Sequence, residues 1–154
     1  MDGQNTDPGA RPESVLEKTV PADMAAMPDL VAFLEGALET MGCPLAITTK
    51  LMVCLDEIAS NVMKFSGAHD LRVRIEHGAP EGTWRLYFID DGTPWNPLTH
   101  ADPDITLSAE ERPIGGLGLL MVKRMMDDVS YSRDGETNVL RLRIAKKDHP
   151  ARNS

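Results

Sequence analysis

The chain has 154 residues, 42% hydrophobic and 26% charged, which suits one soluble domain with a buried core. A formal net charge of −8 argues against a nucleic-acid binder, which needs a basic face to meet phosphates, and no run of like charges forms an electrostatic arm. No apolar run approaches the roughly 18–20 residues that span a bilayer, so no membrane crossing is expected.

Residues 1–13 are polar, with Gly, Pro and Asp, and are expected to form a flexible N-terminus. They show no basic patch followed by an apolar stretch, so no signal peptide is expected and the chain is read as cytoplasmic. A domain over 14–146 follows, with a flexible polar tail over 147–154. A short strand is predicted over 15–20. Met27-Pro28-Asp29 then opens a helix in which Leu30, Val31, Leu34, Leu38 and Met41 recur every three or four residues; Gly42 and Pro44 end it. Asp29 suits the positive end of that helix dipole.

The stretch 47–65 is the most regular. Ile47, Leu51, Cys54, Leu55, Ile58, Val62 and Phe65 make one apolar stripe, stopped by Gly67. Cys43 and Cys54 lie in or beside apolar helical stretches and are read as buried free thiols of a reducing compartment, with a disulfide as the alternative. The period then changes to two. Leu71, Val73 and Ile75 alternate with Arg72, Arg74 and Glu76, and after a turn over 78–82 Trp84, Leu86 and Phe88 alternate with Arg85 and Tyr87. This is a hairpin with one buried face.

Residues 90–114 carry four prolines and little periodicity, a length that is uncommon in compact domains and reads as either a functional or a disordered segment, a lid over a ligand being one candidate. Gly115-Gly116-Leu117-Gly118 precedes a helix with Leu119, Leu120, Val122, Met125 and Met126. The methionines, Met121 among them, are core filler or the lining of a partner groove. Strands are predicted over 129–133 and 139–145, joined by a turn containing Asp134-Gly135. Strand, two helices, hairpin, long loop, helix and hairpin predict a two-layer α/β sandwich: a mixed, mostly antiparallel sheet with helices on one face and the other face left to solvent or a partner.

Three groups of residues carry possible chemistry. Glu57 and Asn61, four apart, stand one turn apart on one helix face, and Lys64 continues the row. That row lies about 100° from the Ile58–Val62–Phe65 stripe and so edges the core. Asn supplies a hard oxygen for Mg²⁺, and Glu accepts a proton; the plain alternative is a solvated polar face. Ile89-Asp90-Asp91-Gly92 ends a strand on an acidic pair and a glycine, which reads either as a turn or as an adenine site, with Asp90 accepting from the amino group and Gly92 leaving room for the base. The glycines at 115–118 are either a hinge or a phosphate-binding loop, whose backbone N–H groups and following helix would meet an anion. No Gly-Lys-Ser/Thr follows, so this is not a P-loop. The four histidines, His69, His77, His100 and His149, have no metal-ligand spacing with the cysteines.

The order Glu57-x-x-x-Asn61-x-x-Lys64, Asp90-x-Gly92, Pro-rich loop, Gly116-x-Gly118 and helix resembles the GHKL ATPase superfamily of gyrase, histidine kinases and mismatch-repair ATPases. Over residues 15–146 the chain is most similar to the small bacterial anti-sigma factor serine kinases, through LMVCLDEIASNVMKFSG, FIDDGTPWNPL and GGLGLLMVKRMMDDVSYSRDGETNVLRL. The resemblance implies ATP and Mg²⁺ as cofactors, Glu57 as general base, Asn61 as the Mg²⁺ ligand, Lys64 in the nucleotide site, Asp90 and Gly92 at adenine, Gly116 and Gly118 at the phosphates, and Thr137 as a polar neighbour of the nucleotide. It implies a homodimeric protein serine/threonine kinase of a partner-switching pathway, phosphorylating a STAS-domain anti-anti-sigma protein and binding a sigma factor. The alternatives are a non-catalytic ATP-binding adaptor whose ordered lid gates a partner, and the catalytic half of a histidine kinase, for which the chain is too short. Two positions depart from the family pattern. Pro94 stands where a second glycine is common, and Phe65 stands where an imidazole or phenol is frequent.

Overall fold

The computed structural model describes residues 11–99 and 116–145. In chain order these form β1 (Arg11–Pro21), a 3-10 turn (Met24–Ala26), α1 (Met27–Thr40), α2 (Leu45–Phe65), β2 (Asp70–Ala79), β3 (Thr83–Asp90), a second 3-10 turn (Pro97–Thr99), α3 (Gly116–Met125), β4 (Asp128–Asp134) and β5 (Thr137–Ala145). The strands form one sheet in the order β1-β2-β3-β5-β4, and every pairing is antiparallel. The expected two-layer architecture is therefore present, with no parallel pair among the described strands.

One core lies between the sheet and the helices. α1 contributes Leu30, Leu34 and Leu38; α2 contributes Leu51, Cys54, Leu55, Ile58 and Val62; Val122 and Met126 close the α3 end. Opposite them stand Leu71, Val73 and Ile75, then Trp84, Leu86 and Phe88, then Leu140, Leu142 and Ile144. This is the period-3.6 stripe laid against the period-2 face. β3 is buried along its whole length because it is the central strand. Its other face packs Tyr87 and Ile89 with Val139. There Glu76 is fully buried, accepting from Arg74 Nε at 2.7 Å and from the Tyr87 hydroxyl at 3.2 Å.

Several boundaries differ from the expectation. Residues 11–13, read as flexible, belong to β1, where Arg11 and Pro12 pair with Ala79 and Gly78. β1 is an edge strand, so Pro12 withholds an N–H that no central neighbour needs. Phe65 leaves the apolar stripe: at the last turn of α2 it is 55% exposed, although Val62 one turn earlier is buried. α3 begins at Gly116, so the glycines form its first turn instead of preceding it. Cys43 and Cys54 are both free thiols, and burial pushes the Cys54 thiol up to about 12. The expected lid lies outside the described residues from 100 to 114. Residues 1–10 and the tail from 146 also lie outside them.

Candidate functional site

Two groups of side chains meet at one end of the α2 helix. The first sits on α2 itself. Asn61 Nδ2 donates to Glu57 Oε2 at 2.9 Å, the contact their spacing predicts. This bond orients the carboxamide, and Asn61 Oδ1 accepts no hydrogen bond among the described residues. α3 arrives over this pair through Gly118. A Cβ at 118 would overlap the Glu57 carboxyl group, so glycine lets the first turn of α3 lie directly on that group without turning it aside. The first-turn N–H groups of a helix lack intrahelical acceptors and carry its positive end, so Gly116 and Gly118 bring an anion-favouring terminus to Glu57 and Asn61. Lys64 is exposed in the last turn of α2.

The second group forms where β3 ends. Asp90 is 6% exposed, and its Oδ1 accepts from Gly92 N at 2.9 Å and from Asn138 Nδ2 at 3.1 Å. Its Oδ2 accepts nothing among the described residues. Burial pushes the Asp90 carboxyl up, and the hydrogen bonds from Gly92 and Asn138 pull the other way without offsetting it. Gly92 is held against the end of α2: a Cβ there would stand 2.6 Å from the Ser66 carbonyl oxygen and 2.8 Å from Asp90 Oδ1. Thr93 N donates to that same Ser66 carbonyl at 3.1 Å. Ser66 is five residues past Asn61, about 7.5 Å along the helix axis, so one helix end holds both groups.

Asp91 has a different task. Its Oδ1 accepts from His69 N at 2.7 Å and Asp70 N at 3.0 Å, and these bonds, the one from Asp70 foremost, lower its carboxyl. It ties the start of β2 to the end of β3, so of the acidic pair only Asp90 turns inward beside the α2 terminus.

Asn138 was not singled out by sequence reasoning. It pairs with Asp90 across β3 and β5, so both side chains point to the helix side of the sheet. Thr137 has the opposite parity. Its hydroxyl donates to the Asp134 carbonyl at 2.8 Å, and it shares with Thr19, Arg72, Ile89 and Asp90 the lining of a shallow depression. The strand's hydrogen-bond partner for Asp90 is Asn138, the residue after Thr137. Only register reveals this, and register is a long-range property. Arg133 was also missed: its Nη1 donates to the Gly92 carbonyl at 2.8 Å.

The arrangement offers a carboxylate oxygen of Asp90 that accepts nothing among the described residues, an anion-favouring helix start, a carboxylate beside it and one hard carboxamide oxygen. Among the described residues no cluster of three or more His, Cys, Asp or Glu could hold a metal by itself. The donor set instead suits Mg²⁺, which keeps waters and phosphate oxygens and needs few protein ligands.

The family described as "Histidine kinase-like ATPase domain" matches residues 20–144. The chain is 26% identical over 145 residues to the serine-protein kinase RsbW of Listeria monocytogenes, covering 87% of this chain and 92% of that one. It is 26% identical over 94 residues to the serine/threonine-protein kinase BtrW of Bordetella bronchiseptica, covering 60% of this chain and 66% of that one. Among solved structures, the RsbU and RsbW domains of Rv1364c from Mycobacterium tuberculosis superpose with a TM-score of 0.62 at 17% identity. That likeness covers 87% of this chain but 33% of that one, and it bears on the fold alone.

Proposed function

The chain belongs to the family of histidine kinase-like ATPase domains, and from that footing we propose that it is an ATP-dependent protein serine/threonine kinase of a partner-switching pathway. Its substrate is a serine on a STAS-domain anti-anti-sigma protein, and in its other partner state it binds a sigma factor. It works in the cytoplasm as a homodimer. The similarity to relatives named serine-protein kinases supports the reaction class, and no helix among the described residues is long and apolar enough to cross a membrane.

The observation that carries this reading is the Glu57–Asn61 pair lying directly under the first turn of α3. Phosphoryl transfer asks little covalent chemistry of a protein; positioning and charge stabilisation do most of the work. Asp90 Oδ2 accepts from the adenine amino group. Gly92 lets the base lie close to the backbone. The first turn of α3, with Gly116 and Gly118, faces the phosphates, and Lys64 in the last turn of α2 adds a cation to the nucleotide site. Asn61 Oδ1 holds Mg²⁺, which neutralises the polyphosphate when bound. Glu57 takes the proton from the attacking serine hydroxyl. A carboxylate needed only to shape a binding pocket would not have to face the phosphate end, which favours the kinase over a pure adaptor.

Glu57→Ala tests this directly. With a STAS-domain substrate and radiolabelled ATP, transfer should fall by about 10²–10⁴-fold, the range for loss of a general base, while the dissociation constant for ATP stays within a few-fold. Undiminished transfer in that variant would remove Glu57 from the chemistry.

A further inference from the structure

Asn138 is 6% exposed, and both ends of its carboxamide are engaged. Nδ2 donates to Asp90 Oδ1 at 3.1 Å and to the Thr93 carbonyl at 2.8 Å. Oδ1 accepts from the Tyr131 hydroxyl at 2.6 Å, from Trp95 N at 3.3 Å and from Arg133 Nη1 at 3.3 Å. The amide cannot be turned over, because its two donors face acceptors and its oxygen faces donors. The two backbone groups it takes, the carbonyl of Thr93 and the N–H of Trp95, flank Pro94. Pro94 has no N–H of its own and a fixed φ, so the carboxamide serves the turn that the proline itself cannot bond.

We propose that Asn138 is a positioning residue for the nucleotide base: it clamps the Thr93-Pro94-Trp95 turn and holds Asp90 by Oδ1, so that Oδ2 alone meets the base and selects a 6-aminopurine over a 6-oxopurine. This rests on the reading of Asp90 as the adenine acceptor. A carboxylate oxygen accepts from the amino group of adenine, whereas the oxo group of guanine would set two acceptors against each other. Selection of this kind needs the acceptor fixed in direction, since a carboxylate free to rotate or share a proton meets either base. Tyr131 and Arg133 act one step further out, holding Asn138 as Asn138 holds Asp90.

The isosteric change Asn138→Asp separates this role from simple packing. It preserves volume and the acceptor for Tyr131, Trp95 and Arg133, but it turns an acceptor towards Asp90 Oδ1 and the Thr93 carbonyl. Among the described residues, the charged and titratable groups bearing on this pair are Asp91 beyond β3 and Tyr131 and Arg133 of β4; from the α2 side the Ser66 cap brings its carbonyl to the turn. At pH 8 two like charges would lie in contact and displace Asp90. As the pH falls, one shared proton restores a donor between them. ATP and GTP dissociation constants of the full chain, measured by calorimetry from pH 6 to 8, provide the test. At pH 8 the variant should bind ATP about tenfold more weakly or worse, the scale of a lost hydrogen bond to a charged group, and its preference for ATP over GTP should shrink. Its deficit relative to wild type should narrow towards pH 6. If Asn138→Asp does not fold at pH 8, Asn138→Ser, which cannot reach both Asp90 and Thr93, decides by the same loss of preference. ATP affinity and preference within twofold of wild type at every pH overturn the inference and leave the function standing. Wild-type protein that binds neither nucleotide overturns the function, and the inference with it.

Discussion

Asp90 pays for its position with its ionisation. Burial raises its carboxyl above the value near 3.9 that it has in the unfolded chain. Between those two values the native state holds more protons than the unfolded one, so this residue's contribution to stability falls as the pH rises through that window. Above it, an ionised Asp90 is a standing cost to the apo protein. Asp91 runs the other way: its carboxyl is lowered, and its contribution is present above the unfolded value and lost as the pH falls through the folded one. Asp90→Asn keeps an acceptor for Gly92 N and Asn138 Nδ2 while removing the buried charge. The apo variant should therefore melt at or above the wild-type midpoint at pH 7, with the difference vanishing below about pH 4, and its preference for ATP over GTP should be lost. A variant that melts lower at pH 7 and still prefers ATP would contradict both assignments.

At the scale of elements, α2 does most of the positioning. Its apolar stripe fixes its rotation on the sheet, which sets Glu57 and Asn61 at the margin, and the carbonyl of its cap residue Ser66 receives the turn after β3. Gly92 is the point of closest approach. Gly92→Ala would push a methyl group against the Ser66 carbonyl oxygen and Asp90 Oδ1, and backbone cannot swing aside as a side chain can. A loss of about 1–3 kcal/mol is expected, the scale of overpacking, read as a lower denaturant midpoint; an unchanged midpoint would show that the turn gives way freely. The glycine of this motif is thus accounted for by packing before any ligand is considered. Much of this level was legible in the sequence. The 3.6-residue stripe gave α2, the alternation from Leu71 to Phe88 gave β2 and β3, and the four-residue spacing placed Glu57 on Asn61. What was hidden depends on contacts between distant segments. Asn138 matters because register sets it across from Asp90, and β1 begins at Arg11 because β2 is long enough to pair with it. Gly118 reads as a loop glycine in the sequence and is a helix residue pressed on Glu57 in the structure.

At the scale of the molecule, the proposed polyphosphate site asks for local charge, not for a basic chain. A net charge of −8 coexists with a helix start over Glu57, with Arg133 bonded to the Gly92 carbonyl and with an exposed Lys64 in the last turn of α2. Asp90 lies at the end of β3 and Glu57 on α2 beneath α3, so a nucleotide contacting both would tie the sheet, α2 and α3 into one unit. Ligand binding should then raise the stability of the whole domain, and the adenine end should decide which nucleotide does so. Thermal unfolding of the wild-type protein with Mg·ATP, with Mg·GTP and without nucleotide tests this most directly. At about 100 times its dissociation constant, ATP should add about 2.7 kcal/mol, a rise of roughly 5–10 °C for a domain of this size, and GTP at the same concentration should add little. No rise with ATP, in protein shown to carry no bound nucleotide, or an equal rise with both, would contradict the ATP site on which the account rests.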